Sequence, residues 1–304
     1  MSRSDDTPSI ERWDHPVSIR MVVTDIDHTL ITDDHRLTER TVRSVRAARQ
    51  RGVEVVLASS RPPLGMTGYL GELGLIDPEP FIALQGGLIA TLADPGTAGD
   101  VAAASGAGVA GAGPDLRVLH SSPIPMRLAR RVVAVGEAMG VSVNWYSGTR
   151  WFVSRYDDRA RREAGVVGTE PVETSLASVR HDPEKILFIA RDAEGSERLR
   201  ELPLPAGVEA TFSNNGYLEV TAAGVDKGSA LRIVANAAGV PTGQVAAIGD
   251  GENDLAMFRA AGVGIAPANA SAQVRQAAGF VTASNNADGV AVALEALLGP
   301  LVPR

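Results

Sequence analysis

The 304 residues contain no cysteine, so disulfides, thiolate metal sites and cysteine nucleophiles are all excluded. Lysine is almost as scarce: of 29 basic residues only Lys185 and Lys227 are lysine, and every other one is arginine. Aromatic residues make up 4% of the chain. No segment offers about 18 uninterrupted apolar residues, so no membrane span is expected. A formal charge of -7 leaves no basic footprint for nucleic acid or for an anionic membrane. The opening MSRSDDTPSIERWDHPVSIR is polar, has no apolar h-region and does not read as a signal peptide; the expectation is a flexible segment over 1–18 and a cytoplasmic protein. The closing LVPR matches the cleaved half of a common thrombin linker, so 299–304 is expected to be a tail outside the fold.

What remains is an ordinary globular composition, 44% hydrophobic and 21% charged, long enough for one large domain or two linked ones. IRMVVTD (19–25) is a short β-branched run, LTERTVRSVRAARQRG (37–52) has helical periodicity and ends on glycine, and VEVVLAS (53–59) and FIAL (81–84) are again strand-like. Such alternation predicts a parallel sheet with helices on its faces, where ligands bind beyond the carboxyl ends of the strands. The pattern breaks at 91–114, a glycine- and alanine-rich stretch that reads as a loose excursion or hinge. VSVNWYS and RWFVSRY then form a predicted hairpin, and KILFIA (185–190) a further strand. From YLEVT (217–221) the first theme returns, with KGSALRIVANAAG a helix, VAAIGD (245–250) a strand, NDLAMFRAAG a helix, and VGIA and FVTA the last strands. The layout is one core, 19–90 with 211–298, split by an inserted α/β module at 91–210.

In VVTDIDHTLI the first strand ends on Asp25 and Asp27, which would share one face if the strand continued through them. Adjacent anions raise one another's pKa unless a cation neutralises them, and a hard divalent ion such as Mg²⁺ takes one or two carboxylates and leaves the rest to water and substrate phosphate. GDGEND (249–254) sits at another strand end, where Asp250 completes such a site. Either segment alone is also ordinary turn and cap chemistry; their joint occurrence at two strand ends is harder to ascribe to capping. Lys227 opens a helix after a predicted core strand, and a compact ammonium there can stabilise a carboxylate nucleophile and a phosphoryl oxygen together. Ser59 and Ser60, in LASSRP, offer hydroxyls and backbone amides to an anion, or form a plain strand-to-helix turn.

These segments, in this order, resemble the haloacid dehalogenase superfamily of phosphohydrolases: DIDHT its first motif, Ser59 its second, Lys227 its third and GDGEND its fourth. LASSRP, VTAAGVDKGSAL, VGIAPANA and FVTASNNADGVA resemble the Cof-like branch. About 34 positions separate Asp25 from Ser59 and about 168 separate Ser59 from Lys227, the placement of a branch whose α/β cap is inserted between the second and third motifs. The resemblance implies a Rossmann-like parallel-sheet core with that cap, and a Mg²⁺-dependent phosphatase. In it Asp25 attacks phosphorus to form an aspartyl-phosphate, and Asp27, a carboxyl whose pKa its neighbours raise, is the acid and then the base. Mg²⁺ is held by Asp25, Asp27 through its backbone carbonyl, and Asp250, with Asp254 supporting from behind; Ser59, Ser60, Lys227 and Asn253 hold the phosphoryl oxygens. His28 and Ser60 stand where the pattern has glycine, and Gln85 where it has asparagine, so His28, Arg61 and Gln85 are candidate specificity residues.

Five of the 13 aromatic residues (Trp145, Tyr146, Trp151, Phe152 and Tyr156) fall in the predicted hairpin. Trp145 and Trp151 either stack on substrate or form the apolar face of a small sheet. Lys185 either meets a second anionic group of the substrate or lies on the cap surface. The expected partner is a small phosphorylated metabolite, a sugar phosphate first and a nucleotide or phosphorylated cofactor next, acted on by a monomer or small homo-oligomer. The alternative is a non-catalytic phosphometabolite-binding protein on the same scaffold.

Overall fold

The computed structural model describes residues 7–14, 18–93, 116–214 and 216–299. The chain opens with β1 (Met21–Thr24), α1 (Glu39–Gln50), β2 (Glu54–Leu57) and α2 (Thr67–Leu73). A strand β3 (Pro80–Ala83) follows, then β4 (Leu88–Leu92) and β5 (Leu116–Ser121). The middle of the chain holds α3 (Met126–Ala138), β6 (Ser142–Ser147), β7 (Arg150–Val153), α4 (Asp158–Val167), β8 (Val172–Glu173), β9 (Lys185–Ile189), α5 (Ala193–Arg200), β10 (Val208–Asn214) and β11 (Tyr217–Ala222). The remainder is α6 (Lys227–Ala237), β12 (Val245–Ile248), α7 (Leu255–Ala260), β13 (Val263–Pro267), α8 (Ala272–Ala277), β14 (Phe280–Thr282) and α9 (Gly289–Leu298).

The core sheet is parallel, in the order β14-β13-β12-β1-β2. Its inner strands β1, β12 and β13 are buried on both faces, which is why they read as continuous apolar runs rather than alternating ones. Val22 packs in one cluster with Val45 and Ala48 of α1 and Leu294 of α9. Met21 and Val23, pointing the other way, belong with Leu231 and Val234 of α6 and Met257 of α7. Because β12 and β2 flank β1 in parallel register, the residues that follow these three strands emerge side by side at one edge of the sheet. That edge is the switch point where ligands bind in such sheets.

The second sheet is six-stranded, in the order β10-β11-β9-β6-β7-β8. Tyr217–Ala222, expected to reopen the core, hydrogen-bonds instead with β9 of this sheet, so the boundary expected at 210 falls inside strand β10. An apolar strand looks the same in sequence whichever sheet it joins; pairing decides, and pairing is not written in a single strand's pattern. A third, antiparallel sheet, β3-β4-β5, meets the end of β2 through a bridge between Ala58 and Ile82. Of the stretch expected to be a loose excursion, Thr91 and Leu92 complete β4, and 94–114 lie outside the described residues. The expected tail likewise lies outside them beyond Gly299. Residues 7–14 depart from the flexible segment expected over 1–18. Ser9 pairs with Val281 on the edge strand β14, Ile10 is fully buried, and Trp13 meets Phe280 edge-on at 5.3 Å. Two apolar side chains beside an open sheet edge are sufficient reason to dock.

Candidate active site

Strand β1 stops at Thr24, so Asp25 and Asp27 lie in the turn beyond it and not in the alternating register that a longer strand would give them. The Asp25 amide still donates to Ile248 O at 2.8 Å, which fixes its start against β12. His28, the next turn residue, has φ 56°, the left-handed region where glycine is most at ease and where histidine is among the better tolerated substitutes. Its ring lies 3.4 Å from Asp33 Oδ1.

Asp25 is bound from behind by Lys227, whose Nζ lies 2.6 Å from Asp25 Oδ1 and 2.7 Å from Asp254 Oδ1, with the lysine itself fully buried. An ammonium in the first turn of helix α6 opposes the helix dipole, and the two carboxylates offset that. Asp226 caps the same helix through a reciprocal pair with Ser229. Gly86 lets this turn approach: a Cβ there would stand 2.3 Å from Asp226 O. Burial pulls the lysine's pKa down, but Asp25 and Asp254 outweigh it and hold the group charged.

One oxygen from each of Asp25, Asp250 and Asp254 lies within 4.8 Å of the others. Burial, first, pushes the Asp25 carboxyl well above the carboxylate range; Lys227 opposes this, and Asp254, Asp250 and Asp27 reinforce it. Asp250 is pushed up to about 6 by burial and then by Asp254, against a 2.7 Å hydrogen bond from Thr29 Oγ1. Three carboxylates against one ammonium leave negative charge that a hard divalent cation would neutralise, and an all-oxygen donor set is what such an ion prefers. Asp254 already accepts from Lys227 and from the Gly251 amide at 2.9 Å, which ties it to support of the loop.

The Asp27 carboxylate stands outside this cluster. Arg61 grips it with two parallel bonds, Nε to Oδ2 at 2.8 Å and Nη2 to Oδ1 at 2.6 Å. Burial pushes this carboxyl up, but the hydrogen bonds and charge of Arg61 outweigh it, helped by His35 and His28, so its pKa is lowered. The expectation that its neighbours raise that pKa is therefore corrected: the dominant neighbour is a cation 34 residues away in sequence.

Ser59 and Ser60 follow β2. Ser59 is buried, its hydroxyl accepting from the Arg61 amide at 3.1 Å, and its carbonyl accepts from the Gln85 amide. Gln85, at φ 62°, accepts from Asn253 Nδ2 at 3.2 Å through Oε1, while its Nε2 is buried with no hydrogen-bond partner among the described residues. Lys227, Ser59, Gln85 and Asp254 thus lie behind a cavity of about 250 Å³ whose wall includes Asp25, Asp27, His28, Ser60, Arg61, Asp250 and Asn253.

The opposite wall of that cavity comes from the second sheet and helix α4: Glu163, Val166, Val167, Ser213, Tyr217 and Glu219. The expected specificity residues of this module lie elsewhere. Trp145 points to the far side of the sheet and packs with Ile186 and Phe188, with Arg130 over its ring. Trp151 shares the core-facing side but is buried, stacked on Tyr146 at 5.4 Å, its indole donating to Asn144 Oδ1. Lys185 neither lines the cavity nor lies on the surface: it is 1% exposed, donates to Ser60 O at 2.7 Å, pairs with Glu219 Oε2 at 2.7 Å, and sits 4.5 Å from the Tyr146 ring centre. With Arg61 Nη1 donating to Val166 O at 2.7 Å, it straps the second module onto residues 60 and 61. Thr29, the Arg61 clamp and the acidic far wall were missed in the sequence; Thr29 alone had a signal there, since it belongs to the quoted DIDHT.

The family model of haloacid dehalogenase-like hydrolases matches residues 22–98 and 99–294. A phosphoglycolate phosphatase of Methanopyrus kandleri is 28% identical over 287 residues, covering 91% of this chain and 97% of its own. A 5-amino-6-(5-phospho-D-ribitylamino)uracil phosphatase of Bacillus subtilis is 27% identical over 290 residues, covering 94% and 98%. The crystal structure of a haloacid dehalogenase-like hydrolase from Bacteroides thetaiotaomicron superposes with a TM-score of 0.74 at 24% identity, over 91% of this chain and 99% of that one.

Proposed function

The chain belongs to the haloacid dehalogenase-like hydrolase family, and on that premise we propose that it is a phosphatase that hydrolyses a small phosphorylated metabolite through an aspartyl-phosphate on Asp25. The observation that carries this is the buried Asp25–Lys227–Asp254 pairing at the switch point of the parallel sheet, beside Asp250 and open to the cavity. Lys227 opposes the rise that burial and the neighbouring carboxylates impose on the Asp25 carboxyl, and a divalent cation bound beside it would complete the ionisation that a carboxylate nucleophile needs. Its oxygen forms the bond to phosphorus as the bond to the leaving alcohol breaks; water then attacks the same phosphorus and frees Asp25.

Asp27 is the proton carrier in this reading, giving a proton to the leaving oxygen and taking one from the attacking water. In the structure Arg61 holds it as a carboxylate. The acid role needs that clamp to loosen, and a phosphate dianion entering the cavity offers Arg61 another bidentate partner. Asp25, Asp250 and the Asp27 backbone carbonyl are the groups that would hold Mg²⁺, with Asp254 in support. When bound, the ion supplies charge neutralisation to the phosphoryl oxygens. Asn253 and Ser60, on the cavity wall, would be donors for those oxygens.

Release of inorganic phosphate from a generic aryl phosphate and a panel of sugar phosphates, nucleotides and phosphorylated cofactors, with Mg²⁺ and with EDTA, tests the reading. Turnover with Mg²⁺ that disappears in EDTA and in Asp25→Asn supports it. A folded protein that binds phosphate esters and turns none over overturns it in favour of a binding protein on the same scaffold.

A further inference from the structure

The cavity has a second end, and its chemistry differs from the first. Lys185, Leu187 and Ile189 alternate with Ile186 and Phe188 along β9, so the first set faces the core and the second faces the helices of the module. Glu219 pairs with Leu187 across the ladder and Tyr146 pairs with Lys185, which puts both on the core-facing side. Helix α4 adds Glu163, on the buried face it shares with Ala160, Ala164 and Val167. Glu163 accepts from Tyr146 Oη at 3.2 Å, and Glu219 Oε1 accepts from Ser213 Oγ at 2.6 Å.

Both glutamates line the cavity, at 6% and 2% exposure. The Lys185 ammonium stands 2.7 Å from Glu219 Oε2, yet among the described residues that oxygen accepts no aligned hydrogen bond; the lysine donates to Ser60 O. A buried carboxylate oxygen held by the charge of an ammonium but by no aligned donor, on the wall of a cavity that ends at a phosphate-handling site, keeps an acceptor position for a ligand. The cationic groups of the cavity wall lie at its core end: Arg61 is held by Asp27 and Val166 O, or by the phosphate once that clamp loosens, His35 lies 3.9 Å from Asp27, and His28 lies beside Asp33.

We infer that the substrate's end remote from its phosphate presents hydrogen-bond donors, hydroxyl or ammonium groups, to Glu163 and Glu219, and carries no second anion. Ser213 and Tyr217 complete this end of the cavity. This rests on the phosphatase reading for the position of the phosphate. A carboxylate or second phosphate at the tail would face two carboxylates, with no lysine or arginine but Arg61 among the described residues that line the cavity, and like charges set against each other in a buried site are strongly disfavoured.

The test is binding, separate from turnover. Calorimetry on Asp25→Asn with Mg²⁺ compares three short phosphate esters of matched length, ending in a polyol, an aminoalkyl group and a carboxylate. The expected result is that the polyol or amine ester binds at least about tenfold more tightly than the carboxylate ester. Which of the two is tighter separates hydroxyl from ammonium recognition. Adding Glu163→Gln, or Glu219→Gln, is expected to shrink that ratio severalfold; Ser213→Ala stands in if loss of the Lys185 partner unfolds the second. Equal affinity for the carboxylate ester, or folded variants that keep the full ratio, overturns the inference. Absent turnover of every ester by the native protein, with the binding preference intact, overturns the phosphatase reading and leaves the tail inference standing.

Discussion

On the core side of the cavity one buried ammonium, Lys227, faces three carboxylates, Asp25, Asp250 and Asp254; on the cap side one buried ammonium, Lys185, faces two, Glu163 and Glu219. The surplus differs in kind as well as size. The core carboxylates converge within 4.8 Å, close enough for one cation to serve all three. The two glutamates come from a helix and a strand, and already take hydroxyl donors, Tyr146 and Tyr217 at Glu163 and Ser213 at Glu219. A convergent surplus calls for an ion, whereas a dispersed one calls for several weaker donors, as a sugar or an amine would supply.

The largest effect that would break this comparison is at Asp25. Asp25→Asn is expected to lower the rate of phosphate release by at least about 10⁴-fold while the protein stays folded, because Lys227 keeps Asp254. Next is Lys227→Met, which leaves two buried carboxylates without their cation. It should cost about 3–5 kcal/mol in urea unfolding, with Mg²⁺ recovering part of that.

A smaller effect separates the two sides by pH. With Asp250 at about 6 in the folded protein and near its usual value unfolded, the folded state holds the extra proton between those values. The metal-free protein therefore loses stability as pH rises through 6. Mg²⁺ must displace that proton, so its affinity is expected to fall about tenfold between pH 7 and pH 5, read from the melting-temperature shift at fixed Mg²⁺. Asp27 has the opposite sign. Its lowered pKa stabilises the fold above the unfolded carboxylate range, and this is lost as pH falls through the folded value. Arg61→Gln should remove that dependence, cost about 1–2 kcal/mol, and move the acid limb of the rate profile to higher pH. The smallest effect is Trp151→Phe: losing the indole bond to Asn144 should cost about 1 kcal/mol and leave KM for every ester unchanged.

The same division runs through what the sequence reveals. Asp25, Lys227, Asp250 and Asp254 were found because short motifs at strand ends place them, and a parallel register then brings those ends together without further instruction. Arg61 was named, but not its grip on Asp27, since a side chain's partner 34 positions away depends on loop geometry. The cap wall was not found at all. Glu163 and Glu219 sit in segments without a motif, and only the pairing of β11 with β9 turns Glu219 toward the cavity. Strand parity decided the aromatics too: Trp145 and Trp151 belong to one hairpin, but one points to the helices and the other into the packed layer beneath Tyr146.

The account turns on Asp25 as the group that carries the phosphoryl, and acid quench of the native enzyme during turnover of a radiolabelled ester tests this most directly. The predicted result is a hydroxylamine-sensitive label on the peptide that contains Asp25, absent in Asp25→Asn. Full phosphate release with no label on that peptide, or with label on another residue, would contradict it.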